Sequence, residues 1–154
     1  MKDGFMKQHY AFVMMVREKY WIAYRDRHHE GKKIHAYVAR GAGPPRNTQL
    51  LLFYVSMPVK SLCGYANFME RELGDAAELW SKHSDESVLK SRVEYEEFVG
   101  TAGRISFVRF TDLHEAVNPI SLRDLLMLFG VKRLSRKGFY LSKDVADQLI
   151  SMME

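Results

Sequence analysis

The run GKKIHAYVARGAGPPRNTQLLLFYVS, Gly31 to Ser56, decides the architecture. Its second half, Gln49–Ser56, is almost continuously apolar, the pattern of an interior strand buried on both faces. Its first half, Lys33–Ala39, alternates. Ile34, Ala36 and Val38 fall on one side, and Lys33, His35 and Tyr37 on the other. Between them, Gly41–Asn47 holds two glycines and two prolines and reads as loop. A strand–loop–strand unit is a poor phosphate loop of the nucleotide-binding kind, because those loops open a helix. Pro44 and Pro45 also lack the N–H donors that cradle phosphate. Arg40 and Arg46 flank the loop and can still grip phosphate through their side chains.

Working outward, Ala11–Val16 is a short apolar run that fits a buried strand. Arg17–Glu30 places Tyr20, Trp21, Tyr24 and His28 on one helical face, and Gly31 suits its end. Met57–Ser61 is a turn around Pro58. Leu62–Glu70 returns as a strand in which Gly64 marks a bulge or a close backbone approach. Helices follow at Asp75–Lys82, with Asp75 as N-cap, and Ser91–Val99, where Ser91 and Glu94 have capping-box spacing before Gly100. Gly103–Thr111 alternates as a strand. Ser121–Phe129 is a helix stopped by Gly130, Lys132–Gly138 a basic loop, Phe139–Leu141 a short strand, and Lys143–Met153 a last helix capped by Ser142. Adjacent strands with short joints and helices in groups predict an α+β fold whose mixed or antiparallel sheet curls into a small pseudo-barrel surrounded by helices.

The 154 residues predict one domain over 1–154, with residues 1–10 as a flexible N-terminus. Apolar residues make up 47% of the chain, enough for a core without staples. Cys63 is the only cysteine, which excludes an intrachain disulfide and a cysteine zinc cage; beside Leu62 in a strand it reads as an inert core thiol. No apolar run is long enough to span a membrane, and MKDGFMKQHY has no signal-peptide core, so a cytoplasmic protein is expected. Charge is unevenly distributed. Residues 1–50 hold ten Lys/Arg against four Asp/Glu, residues 51–100 five against nine, and residues 101–154 eight against six. Basic ends around an acidic middle can present one face to a polyanion.

His28, His29, Glu30 and His35 invite a metal reading, but adjacent histidines diverge on a helix and no H-E-x-x-H motif is present. A solvated helix end with a surface histidine on the next strand is the expectation, with no metal and no cofactor. His83, Ser84 and Asp85 are neighbours in sequence, which does not make a triad, and no catalytic motif stands out. Lys132, Arg133, Arg136 and Lys137 put four cations within six residues of one exposed loop. Tyr37, Tyr54, Phe139 and Tyr140 are available as stacking platforms or as core.

EGKKIHAYV, the loop, and QLLLFYVSMPVKSLCGYANF together resemble the PUA-like superfamily, especially its ASCH and EVE branches. SDESVLKSRVEYEEFV is similar to a mainly archaeal family with the same core, and NPISLRDLL with GFYLSKDVADQLI to the closing part of EVE-type domains. The resemblance implies the curled mixed sheet and the binding of RNA or a modified nucleobase or nucleotide in a cleft. The ASCH pattern G-x-K-x-x-E-x-R is matched at Gly31 and Lys33, while Ala36 and Val38 replace its charged pair. ASCH amidohydrolases for acylated cytidine use a lysine with a threonine three residues later; Lys33 matches, but Ala36 stands at the threonine position. The expected role is therefore binding. Lys33, Arg40, Arg46, Lys132, Arg133, Arg136 and Lys137 would steer phosphate, and Tyr54 and Ser56 would line the cleft. The alternatives are a small nucleoside amidohydrolase using Lys33, or a protein-interaction module using the acidic middle helices.

Overall fold

In the computed structural model, residues 9–154 are described; most of the N-terminal stretch read above lies outside them. The elements run β1 (Ala11–Val16), α1 (Glu18–His29), β2 (Ile34–Arg40), β3 (Leu50–Val55), β4 (Ser61–Gly74), α2 (Ala76–His83), a 3-10 turn (Ser84–Glu86), α3 (Arg92–Val99), β5 (Ile105–Ser121), α4 (Leu122–Phe129), β6 (Phe139–Leu141) and α5 (Lys143–Met153). The six strands form one mixed sheet in the order β2-β5-β4-β3-β1-β6. Only β1 and β3 run parallel, with α1 within the long connection that such a pair requires.

The strong apolar run lies where its pattern places it. β3 is interior, between β1 and β4, and Leu51, Leu52, Phe53 and Val55 have no exposed surface. Burying side chains of this size contributes about 1.5–3 kcal/mol each. Phe53, Trp21, Tyr24 and Phe110 fill one core with Phe12 and Met14. On other surfaces of the sheet, α4 and α5 close a second core around Leu125 and Leu149, and α2 and α3 a third around Leu79, Tyr95 and Phe107. The caps sit where expected: Asp75, Ser91, Ser121 and Ser142 each accept from a backbone N–H three residues on. The capping box is displaced by one residue, because Glu94 accepts from the Lys90 N–H at 3.0 Å.

Three expectations need correction. The sheet curls but does not close into a barrel, since its two edge strands, β2 and β6, do not pair with each other. β2 is blunted instead by an Ala36–Ser87 bridge to the segment after the 3-10 turn, and β6 is only three residues long. β4 and β5 continue past Glu70 and Thr111 to Gly74 and Ser121. Their registers shift at three places, so each bulge breaks the alternation by which a strand is recognised. His35 is not at the surface; it is fully buried, packed by the rings of Tyr24 and Phe110. Period-two alternation cannot reveal that α1 covers the second face of β2.

Candidate nucleic-acid interface

The basic loop after α4 is set by the ends that hold it. Gly130 ends α4 in the left-handed region with φ 64°. At the far end Gly138 has φ 84°, and a Cβ there would lie 2.4 Å from the Val13 carbonyl oxygen. The loop is thereby pressed against β1 while Lys132, Arg133, Arg136 and Lys137 remain exposed.

Beneath it lies a cleft of about 690 Å³ whose rim carries Arg17, Lys132, Arg133 and Arg136. Its floor is apolar, with Met15, Leu122, Leu126 and Leu134, and Tyr37, Tyr54, Ser56 and Ser135 add ring faces and hydroxyls. A second depression of about 340 Å³ shares Met15, Tyr37 and Arg136 with the first and adds Arg40, Arg71 and Lys137. Among the described residues no Asp or Glu lines either one. A third, of about 580 Å³, joins at Arg71 and includes Arg46 together with Glu70. Burial raises the pKa of the Tyr54 and Tyr37 phenols, so both stay protonated donors at neutral pH.

The two basic segments thus meet across one continuous groove. Tyr54, Ser56, Lys132, Arg133 and Arg136 line its first part, Arg40 and Lys137 its middle, and Arg46 its far end. Lys33 lines none of the three: it precedes β2 at the end opposite Arg40, where its carbonyl accepts from Thr111 Oγ1 at 2.8 Å. Sequence reasoning missed Arg71. That residue lies mid-strand in the acidic segment, and its side chain organises the Gly41–Asn47 loop. Its Nε donates to Ser106 Oγ at 3.0 Å, its Nη2 to the Gly41 carbonyl at 3.1 Å, and its Nη1 to the Pro44 carbonyl. Tyr140 OH holds the same loop by accepting from the Arg46 N–H at 2.8 Å. A lone basic residue among acidic neighbours on a strand was the only available signal. Arg40 is itself anchored, donating to the Phe98 carbonyl at 2.7 Å and lying 5.3 Å from that residue's ring centre.

No family model matches the chain. An ASCH domain-containing ribonuclease of Zymomonas mobilis is 27% identical over 122 residues, which is 79% of this chain and 80% of the relative. The crystal structure of ASCH from Zymomonas mobilis superposes with a TM-score of 0.78 at 22% identity, covering 95% of this chain and 96% of that one. A single-residue variant of the same protein gives a TM-score of 0.76 over 92% of this chain and 97% of that one.

The chain has the PUA-like fold of the ASCH type.

On this ASCH-type fold the groove combines cations, ring faces and hydroxyls, and among the described residues its first two parts have no carboxylate or histidine. Such a surface is electrostatically suited to a polyanion. Beside it, a small pocket lined by Tyr20, Tyr24, Tyr37 and Phe98 abuts the groove at Tyr37. Its free volume of about 30 Å³ has room for water and not for a base.

Proposed function

We propose that this chain binds RNA along the groove between the Lys132–Lys137 loop and the Gly41–Asn47 loop. The observation that carries the reading is the convergence of Arg17, Arg40, Arg71, Arg136 and their neighbours on one acid-free surface with Tyr37 and Tyr54 between them. Phosphates would lie on the cations, and bases against the apolar floor and the tyrosine rings. The ribonuclease among the relatives supports RNA as the polyanion.

Fluorescence anisotropy with a labelled single-stranded RNA tests this. Four phosphate contacts predict a roughly 50-fold loss of affinity between 50 and 200 mM salt. Binding that ignores salt, or none at all, removes the reading. Cleavage is a second reading, supported by the same relative and by the Tyr54 and Ser135 hydroxyls beside the cations. Its test is fragment formation from labelled RNA by the wild type, Tyr54→Phe and Ser135→Ala; no fragments, or equal yields from all three, count against it. The nucleoside amidohydrolase alternative depends on Lys33, and its test is turnover of acylated nucleosides that Lys33→Ala abolishes.

A further inference from the structure

Bordering the far end of the groove, a second constellation has no role in the RNA reading. Glu70 and Glu72 are two apart on β4 and so share a face, while Arg71 between them points the other way, to the groove loop. His83, the last residue of α2, is brought beside them. One ligand atom from each of the three lies within 4.8 Å of the others. Donor atoms on a single ion with bonds of about 2.1 Å are separated by about 3–4 Å, so side-chain adjustments of about 1 Å suffice to converge them.

The arrangement behind His83 distinguishes this group from a patch of surface acids. Its side chain is only 13% exposed. Nδ1 faces Glu86 Oε1 at 3.4 Å, and Nε2 faces Glu72 Oε2 at 2.5 Å. Glu86 is buried and held by Arg109, whose Nε and Nη2 donate to its two oxygens at 2.7 and 3.0 Å. A histidine with one nitrogen backed by a fixed carboxylate and the other directed at a second carboxylate oxygen matches the usual build of a metal ligand. Glu70 Oε1 accepts from Arg109 Nη1 at 3.0 Å, and its other oxygen has no hydrogen bond among the described residues. Lys82, which also touches Glu72, is 60% exposed and free to swing away.

We propose that Glu70, Glu72 and His83 bind one divalent first-row transition ion, with Glu86 and Arg109 as its outer support. The ion takes the place of the direct contact between His83 Nε2 and Glu72. One imidazole and two carboxylates favour Zn²⁺ or Mn²⁺ over Mg²⁺ or Ca²⁺, which prefer all-oxygen sites. Glu72 and His83 line none of the three parts of the groove, and Glu70 borders only its far end.

Isothermal titration of chelator-treated protein with ZnCl₂, MnCl₂ and MgCl₂ tests the proposal. One equivalent of Zn²⁺ or Mn²⁺ is expected, at least about tenfold tighter than Mg²⁺. His83→Gln and Glu72→Gln should weaken it at least about tenfold, and His28→Ala with His29→Ala should leave it unchanged. Glu70→Gln, at an exposed ligand, decides the matter if the other variants fold poorly. The proposal falls if neither ion binds, if Glu70→Gln and Glu72→Gln leave affinity intact, or if the His28 and His29 substitutions abolish binding.

Discussion

A histidine with no exposed surface has to stay neutral for the fold to keep it, and His35 is in that position. Neither ring nitrogen makes a hydrogen bond of ordinary geometry. Burial first, then the neighbouring His28 and Arg27, push its pKa down from 6.5 to about 4, with the Lys32 backbone pulling the other way. The unfolded chain therefore takes up a proton below pH 6.5 that the folded chain refuses until about pH 4. Stability should fall as pH drops through that window, by up to ~3 kcal/mol, and level off below it. Urea melts at pH 7, 5 and 4 check this. His35→Phe, which keeps a ring against Phe110, should remove most of the acid-side loss, and an unchanged pH profile would refute the assignment. Gly64 is the opposite kind of residue, required for what it lacks. A Cβ there would lie 2.3 Å from the His114 carbonyl oxygen and 2.7 Å from the Trp21 ring. Backbone cannot yield cheaply, so Gly64→Ala should cost about 3 kcal/mol or more in a denaturant melt.

At the scale of elements, the groove is built from a capped helix and a pinned loop. α4 presents Leu122 and Leu126 to the groove floor, and Ser121 starts it by accepting from the Asp124 N–H at 3.2 Å. Ser121→Ala should lower stability by about 1 kcal/mol, read from the shift of the denaturation midpoint. The Gly41–Asn47 loop depends on the Arg71 fork rather than on its own turns. Arg71→Lys keeps the charge but not the planar set of donors. It should lower stability by about 2 kcal/mol and speed tryptic cleavage after Arg46, which is exposed in that loop. Cleavage at the wild-type rate would mean that the loop is held by Tyr140 alone. The caps of α2 to α5 were legible in sequence because a cap is a local contact, three residues long. Arg71's role was not, because its partners Gly41, Pro44 and Ser106 come from 27 to 35 residues away.

Over the whole molecule, the sheet order decides which basic residues act together. β1 lies between β3 and β6, so the loop entering β6 meets the strand that carries Tyr54. Lys33 and Arg136 looked equivalent in sequence, both basic and both near a strand end. Folding separates them, since Arg136 lines two connected parts of the groove and Lys33 lines neither. Arg136→Ala should therefore weaken RNA binding and reduce the slope of log affinity against log salt by about 1. Lys33→Ala should leave both within error. If the two variants behave alike, the groove is not where RNA binds.

The sequence by itself determined the elements that rest on near neighbours: the buried run of β3, the helix caps and stops, the two-glycine, two-proline loop and the four-cation loop. Those follow from periodicity and from contacts a few residues apart, which a linear string records. Tertiary structure alone decided that the sheet stays open, that His35 is buried, that β4 and β5 run on through bulges, and that Arg71 joins the groove while Lys33 does not. Each of these depends on which surface an element packs against, and that is settled by pairings between residues far apart in the chain.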